Sequence, residues 1–107
     1  MANAKTTVIN MRTQPVEMQK ALDSNCFERI DRATKWGNPF LIGRDGPRWE
    51  VIEKYKIWVK GRPGLMAQLY QLKGKVLGCW CVESIDHVRK NKQCHGEILL
   101  ELIEARK

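Results

Sequence analysis

Lys75-Val76-Leu77-Gly78-Cys79-Trp80-Cys81 is the stretch that decides the fold. Its short apolar centre predicts a strand over Lys75–Trp80 that is covered on both faces. Gly74 stops whatever precedes it. Beyond Cys81 the chain turns polar and charged from Val82 to Gln93, which reads as an exposed loop. Then Cys94-His95-Gly96 opens a last helix, expected to end at Arg106, with Ile98, Leu99, Leu102 and Ile103 as its buried stripe. Glu97 in its first turn and Arg106-Lys107 at its end suit the helix dipole.

Working back from Lys75, a short helix is expected over about Gly64–Leu72, with Leu65, Leu69 and Leu72 on one face. A longer one begins near Pro47, a residue suited to a first helical turn. There Val51, Ile52, Tyr55, Trp58 and Val59 recur at the spacing of a buried stripe, and Gly61 and Pro63 end it. Residues 31–47 are loop, centred on a Gly37-Asn38-Pro39 turn in which the glycine can adopt a positive φ. Cys26–Ile30 reads as a short strand and Val16–Leu22 as a helical turn. Thr6–Arg12 is rich in β-branched residues and reads as the first strand. Alternation puts Val8, Asn10 and Arg12 on one face. Asn10 and Arg12 either lie past the buried part, in water, or project into a cleft at the carboxyl edge of a sheet.

Strands separated by helices give an α/β order, and a parallel crossover is the simplest join between the first strand and Lys75–Trp80. The expected architecture is a small α/β domain with a mainly parallel sheet flanked by helices. With 107 residues, 43% of them hydrophobic, the chain suits one domain over 1–107 with a real core. Residues 1–5 are expected to be a flexible end. No apolar run is long enough for a membrane span, and Met1–Lys5 lacks the apolar region of a signal peptide. A cytoplasmic location is therefore expected, with cysteines free, metal-binding or reactive rather than paired. Nineteen Lys and Arg against twelve Asp and Glu give a formal charge of +7. Such a surface attracts nucleotides, nucleic acids or anionic lipids, or else serves solubility.

Three constellations can carry chemistry. Cys79, Cys81, Cys94 and His95 have the residue types of a tetrahedral zinc site, although their spacing departs from that of zinc fingers. Residues i and i+2 of a strand point the same way, so Cys79 and Cys81 could share an ion. The Cys94-His95-Gly96-Glu97 turn starts a helix. It reads as an anion cradle, as a Cys94 thiol made acidic by the dipole beside His95, or as a capped helix start with a packed cysteine. Arg32 to Phe40 combines cations, an aromatic ring and a rigid turn. It suits a base stacked on Trp36 with phosphate near Arg32 or Lys35, or a structural plug of Trp36 and Phe40. His87 is expected in solvent. No Ser-His-Asp set, paired-carboxylate motif or phosphate-binding P-loop is present.

These residues together resemble a known family. The pattern is Asn10-x-Arg12, Arg32-x-x-Lys35-Trp36-Gly37-Asn38-Pro39-Phe40, Tyr55-x-x-Trp58, Gly78-Cys79-Trp80-Cys81 and Cys94-His95-Gly96-Glu97. It is similar to that of the small phage and bacterial domain of unknown function 4326, from about Thr7 to Ala105. The stretch between the two cysteine segments is longer here than is common in that family, and the segment between Arg12 and Arg32 is unusual. The resemblance implies no activity.

The combined expectation is a pocket at the strands' carboxyl ends that binds a nucleotide-like, phosphate-bearing ligand. Asn10, Arg12, Arg32, Lys35, Trp36, Asn38, Cys79 and Gly96 are its candidate ligand contacts, with Trp36 or Trp80 stacking on a base. Whether the ligand is transformed or only sequestered stays open. Cys94 or His95 is the candidate nucleophile or general base. The alternative is a zinc-stabilised module, with Cys79, Cys81, Cys94 and His95 as ligands, that binds nucleic acid or a host protein.

Overall fold

Val76–Cys79 (β3) is the central strand of a three-stranded sheet ordered β1-β3-β2, and both pairings are parallel. The computed structural model describes residues 5–81 and 84–105. In chain order the elements are β1 (Thr7–Asn10), α1 (Pro15–Asp23), β2 (Phe27–Arg29), α2 (Arg48–Lys60) and α3 (Pro63–Ala67). A 3-10 turn (Leu69–Gln71), β3 and α4 (His95–Ala105) complete it. The register sets Val8 beside Leu77 and Asn10 beside Cys79 on one side of β3, and Glu28 beside Leu77 on the other.

β3 is paired on both edges, and as in parallel sheets generally both faces of the sheet are covered. Alternation places Val8, Asn10, Leu77 and Cys79 on one face. Val8, Leu77 and Cys79 join the core built with α2 and α4 through Tyr55, Val59, Ile98, Leu99 and Leu102. Ile9 and Met11 are buried on the opposite side, where α1 packs against the strands.

Helix α2 buries Val51, Ile52, Tyr55 and Val59, as its stripe requires, with Trp58 half-buried at the edge. The helix expected over 64–72 is two pieces, because Gln68 leaves the α-helical geometry between Ala67 and Leu69. Leu69 and Leu72 are nonetheless in the core.

Most of residues 84–93 are exposed, and the segment is tied to the fold at two points. Val82 and Glu83 lie outside the described residues, but Ile85 is buried and forms an antiparallel bridge with Val8. Glu97 is the reason the next turn is held. Its side chain is 0% exposed and accepts Nε and Nη2 of Arg89 at 2.6 and 2.8 Å and the Gln93 N–H at 2.8 Å. Glu97 stands in the first turn of α4, where it suits the helix dipole, and there it also forms a buried ion pair. Met1–Ala4 and Arg106-Lys107 lie outside the described residues.

Candidate functional site

The carboxyl ends of β2 and β3 and the start of α4 meet at a pocket of about 310 Å³. Asp31 and Arg32 enter it just after β2, Trp80 and Cys81 just after β3, and Cys94 and His95 at the head of α4. The first turns of α2 close the remaining side with Arg48, Val51 and Ile52. Parallel strands bring these segments together because their ends all point one way, leaving a crevice that loops and helix starts line.

Trp80 is half exposed, yet its indole is anchored. Its Nε1–H donates to Asp31 Oδ2 at 2.9 Å, and Arg29 Nη2 donates to the same oxygen at 2.5 Å. Burial alone would raise the Asp31 pKa; the hydrogen bonds from Arg29 and Trp80 outweigh it and hold the carboxyl below its ordinary value.

The 32–40 turn is built by its own polar groups. Arg32 donates through Nε to the Asn38 carbonyl and through Nη2 to the Phe40 carbonyl, both at 3.1 Å. Asn38 Oδ1 accepts the Phe40 N–H at 2.9 Å, and Nδ2 reaches the Val51 carbonyl at 3.5 Å. Gly37 does not use the positive φ open to a glycine. Its reason is space: a Cβ there would sit 2.5 Å from Arg32 Cα and 2.6 Å from the Asp31 carbonyl oxygen.

Trp36 is 1% exposed, so it is a core plug and has no open face for a base. The Tyr55 hydroxyl donates to its carbonyl at 2.6 Å. Lys35 is exposed and turned away from the pocket, with its ammonium bonded to Gln68 and 5.5 Å from the Trp36 ring centroid. Asn10 is a turn former. Its Oδ1 accepts the N–H groups of Arg12 and Thr13, and its Nδ2 donates to the Trp80 carbonyl at 3.3 Å. That turn carries Arg12 onto the exposed surface, away from the pocket lining.

At the head of α4 the cysteine is a helix cap. Cys94 Sγ accepts the Gly96 N–H at 3.3 Å, and its carbonyl accepts the Glu97 N–H at 3.0 Å. The sulfur takes the place of the oxygen of a Ser or Asp cap. Gly96 spends its N–H on this cap rather than presenting it to the pocket. It packs so closely that a Cβ would lie 2.8 Å from Ile30 Cδ1 and 3.0 Å from Val8 Cγ1.

His95 Nε2 lies 2.5 Å from the Ile30 carbonyl oxygen, which can only accept, so Nε2 carries the proton. Nδ1 is then an acceptor, 3.8 Å from Cys94 Sγ. Burial pushes the imidazole pKa down, so the ring is neutral.

Cys94 is one of three neighbouring thiols, and its surroundings oppose its ionisation. Hydrogen bonding to the Cys79 and Cys81 thiols and burial push the Cys94 pKa up. Hydrogen bonds from Cys79 and Cys94 pull that of the exposed Cys81 down. Among these thiols the hydrogen bonds favour a negative charge on Cys81, which is exposed, over one on the buried Cys94. Cys79 is fully buried, with Sγ 3.5 Å from the Ile9 carbonyl, and does not line the pocket. Among the described residues no group of three or more His, Cys, Asp or Glu is disposed to hold a metal ion. Cys79, Cys81 and Cys94, the residues of the alternative zinc reading, lie within hydrogen-bonding reach of one another, with His95 Nδ1 3.8 Å from the Cys94 sulfur. His95 Nε2 and the Cys79 and Cys94 sulfurs also have backbone partners.

The pocket thus unites Arg32, Asn38, Trp80, Cys81, Cys94 and His95 of the residues singled out in the sequence. It adds Arg48, whose Nη1 donates to the Gln93 carbonyl at 2.9 Å. Its signal was present: Arg48 precedes Val51 and Ile52 by three and four residues, the spacing of one helix face. No helix among the described residues is long and apolar enough to cross a membrane.

Residues 13–105 match a family described as "Domain of unknown function (DUF4326)". An uncharacterized protein of Acanthamoeba polyphaga mimivirus is 35% identical over 69 residues, 64% of this chain and 52% of that protein. The chain therefore spans about half the length of this curated relative. No solved structure matches.

Proposed function

The chain belongs to the family described as Domain of unknown function (DUF4326), and we propose that its pocket binds a nucleotide-like, phosphate-bearing ligand. The observation that carries this reading is Trp80. A large indole left half exposed, but tethered by its one polar atom to Asp31, is a held stacking surface. Arg32 and Arg48 flank the same cavity, and each guanidinium has five N–H donors, of which the protein uses only some. Arginines beside an anchored aromatic face suit a base together with its phosphate. A volume of about 310 Å³ falls at the small end of ligand pockets.

Neutral His95, with its acceptor nitrogen beside Cys94, supplies a base if the ligand is also transformed. The buried, protonated Cys94 is unsuited to nucleophilic attack. Cys81 is the thiol at the pocket that is suited to it.

The test is a thermal-shift and calorimetric series with nucleoside mono-, di- and triphosphates and ADP-ribose. A ligand at 100 times its Kd raises stability by about 2.7 kcal/mol. Trp80→Ala and Arg48→Met should each lose most of the shift while retaining the fold. If no phosphate compound shifts the wild type, the reading is wrong. About one zinc per chain by elemental analysis, with unfolding by chelator, would replace it by the zinc-stabilised module.

A further inference from the structure

The pocket does not end at Arg48. A second depression of about 700 Å³ lies against it, and the two share Arg48, Ile52 and Gln93 in their walls. The shared residues make Arg48 a partition, with its guanidinium held to the Gln93 carbonyl at 2.9 Å. On the far side lie Trp49, 66% exposed, and Lys90, also exposed. Trp49 falls outside the buried stripe of α2, so its ring adds nothing to that helix's packing.

The charges of this groove favour an anion. Arg48 and Lys90 are open to it. Lys92 is half-buried and bonded to Glu101 and the Arg89 carbonyl, so it counts for less. Glu53 is the opposing carboxylate in the lining. Two exposed indoles, Trp80 in the pocket and Trp49 in the groove, thus flank one guanidinium. That is the order of groups along a nucleotide chain: base, phosphate, base.

We propose that the groove takes the second nucleotide of a single-stranded nucleic acid whose first nucleotide occupies the pocket, Trp49 stacking on the second base and Arg48 contacting the phosphate between. This rests on the nucleotide reading of the pocket. The positive charge of the whole chain adds long-range attraction for the same class of ligand. Single-stranded backbone binding of this kind weakens with salt as counterions are released.

The test compares 5′-AMP with a hexamer of adenylate by calorimetry at low and moderate salt, using wild type and Trp49→Ala. Trp49 is exposed, so the substitution should leave the melting temperature unchanged. Loss of one stacked base is expected to weaken the hexamer by roughly tenfold or more, with 5′-AMP unaffected. Lys90→Glu should weaken the hexamer alone and reduce its salt dependence.

A hexamer no tighter than 5′-AMP, or equal hexamer affinity in Trp49→Ala, overturns the inference and leaves the mononucleotide pocket standing. An acidic peptide that displaces the hexamer at equal concentration also overturns it, by showing a groove that recognises charge alone. No binding of either nucleotide removes both readings.

Discussion

Replacing Arg89 by Met tests the buried ion pair that fixes the approach to α4. Glu97 is wholly enclosed, and its carboxylate has three donors: two from Arg89 at 2.6 and 2.8 Å and the Gln93 N–H at 2.8 Å. Arg89→Met removes two of the three and leaves a charge in the core with one partner. Breaking a buried pair from one side costs about 3–5 kcal/mol. Arg89 itself is a third exposed, and Lys92 stands close enough to lower the Glu97 pKa. Both lessen the loss, so it falls at or just below the bottom of that range, about 2–3 kcal/mol.

For a chain of this size each kcal/mol moves the melting temperature by about 4–8 °C, so a fall on the order of 10–20 °C is expected. Circular dichroism melting and urea denaturation measure it. The double variant Arg89→Met/Glu97→Gln should recover much of the loss, because the uncompensated charge is gone. A single-variant loss below about 0.5 kcal/mol, typical of a surface pair, would refute the assignment of Glu97 as a buried clamp.

Three further outcomes follow from the same geometry. Stability should decline on acidification in two steps. His95 is held neutral below its ordinary value of 6.5, so below that pH the unfolded chain takes up a proton that the folded chain refuses. Glu97 and Asp31 lie below 4.5 and 3.8, so the stability they add is complete above those values and is lost as pH falls through their folded ones. His95→Gln should remove the first step alone, and a flat profile from pH 7 to 5 in the wild type would contradict the neutral buried ring. Gly37→Ala should cost about 2–3 kcal/mol, because the new methyl meets backbone that cannot swing aside. Gly64→Ala, with nothing within 4 Å of the added atom, is the control, and equal melting of the two would discredit the close turn. Iodoacetamide should label Cys81 well before Cys79 and Cys94, read by peptide mass mapping. Early labelling of Cys94 would show that its thiol is neither buried nor protonated.

Local pattern was enough for the elements. The stripe of α2 is written at helical spacing, and the apolar run at Val76–Leu77 can only be buried on both faces. Those two signals yield a parallel sheet with β3 inside, as observed. The Cys94-His95-Gly96 segment was also legible as a helix start, since the apolar stripe begins immediately after it.

The chain alone left open which of two chemically equal residues takes which role. Trp36 and Trp80 are both indoles beside small residues. Only the packing of α2 against the 32–40 turn buries the first and leaves the second half exposed. Arg48 and Arg12 are both cations beside structured segments. The Asn10 turn directs one away, and the start of α2 at the pocket brings the other in. Arg89 read only as part of an exposed loop and Glu97 only as a first-turn acid, because their pairing is a contact across a turn, not a periodicity. The site is where parallel strand ends, a helix cap and a returning helix coincide, and that coincidence is a property of tertiary packing. Sequence determined the types of group available and the segments that carry them. Only the fold decided which of those groups meet, because burial, and with it each group's charge state, depends on neighbours distant in the chain.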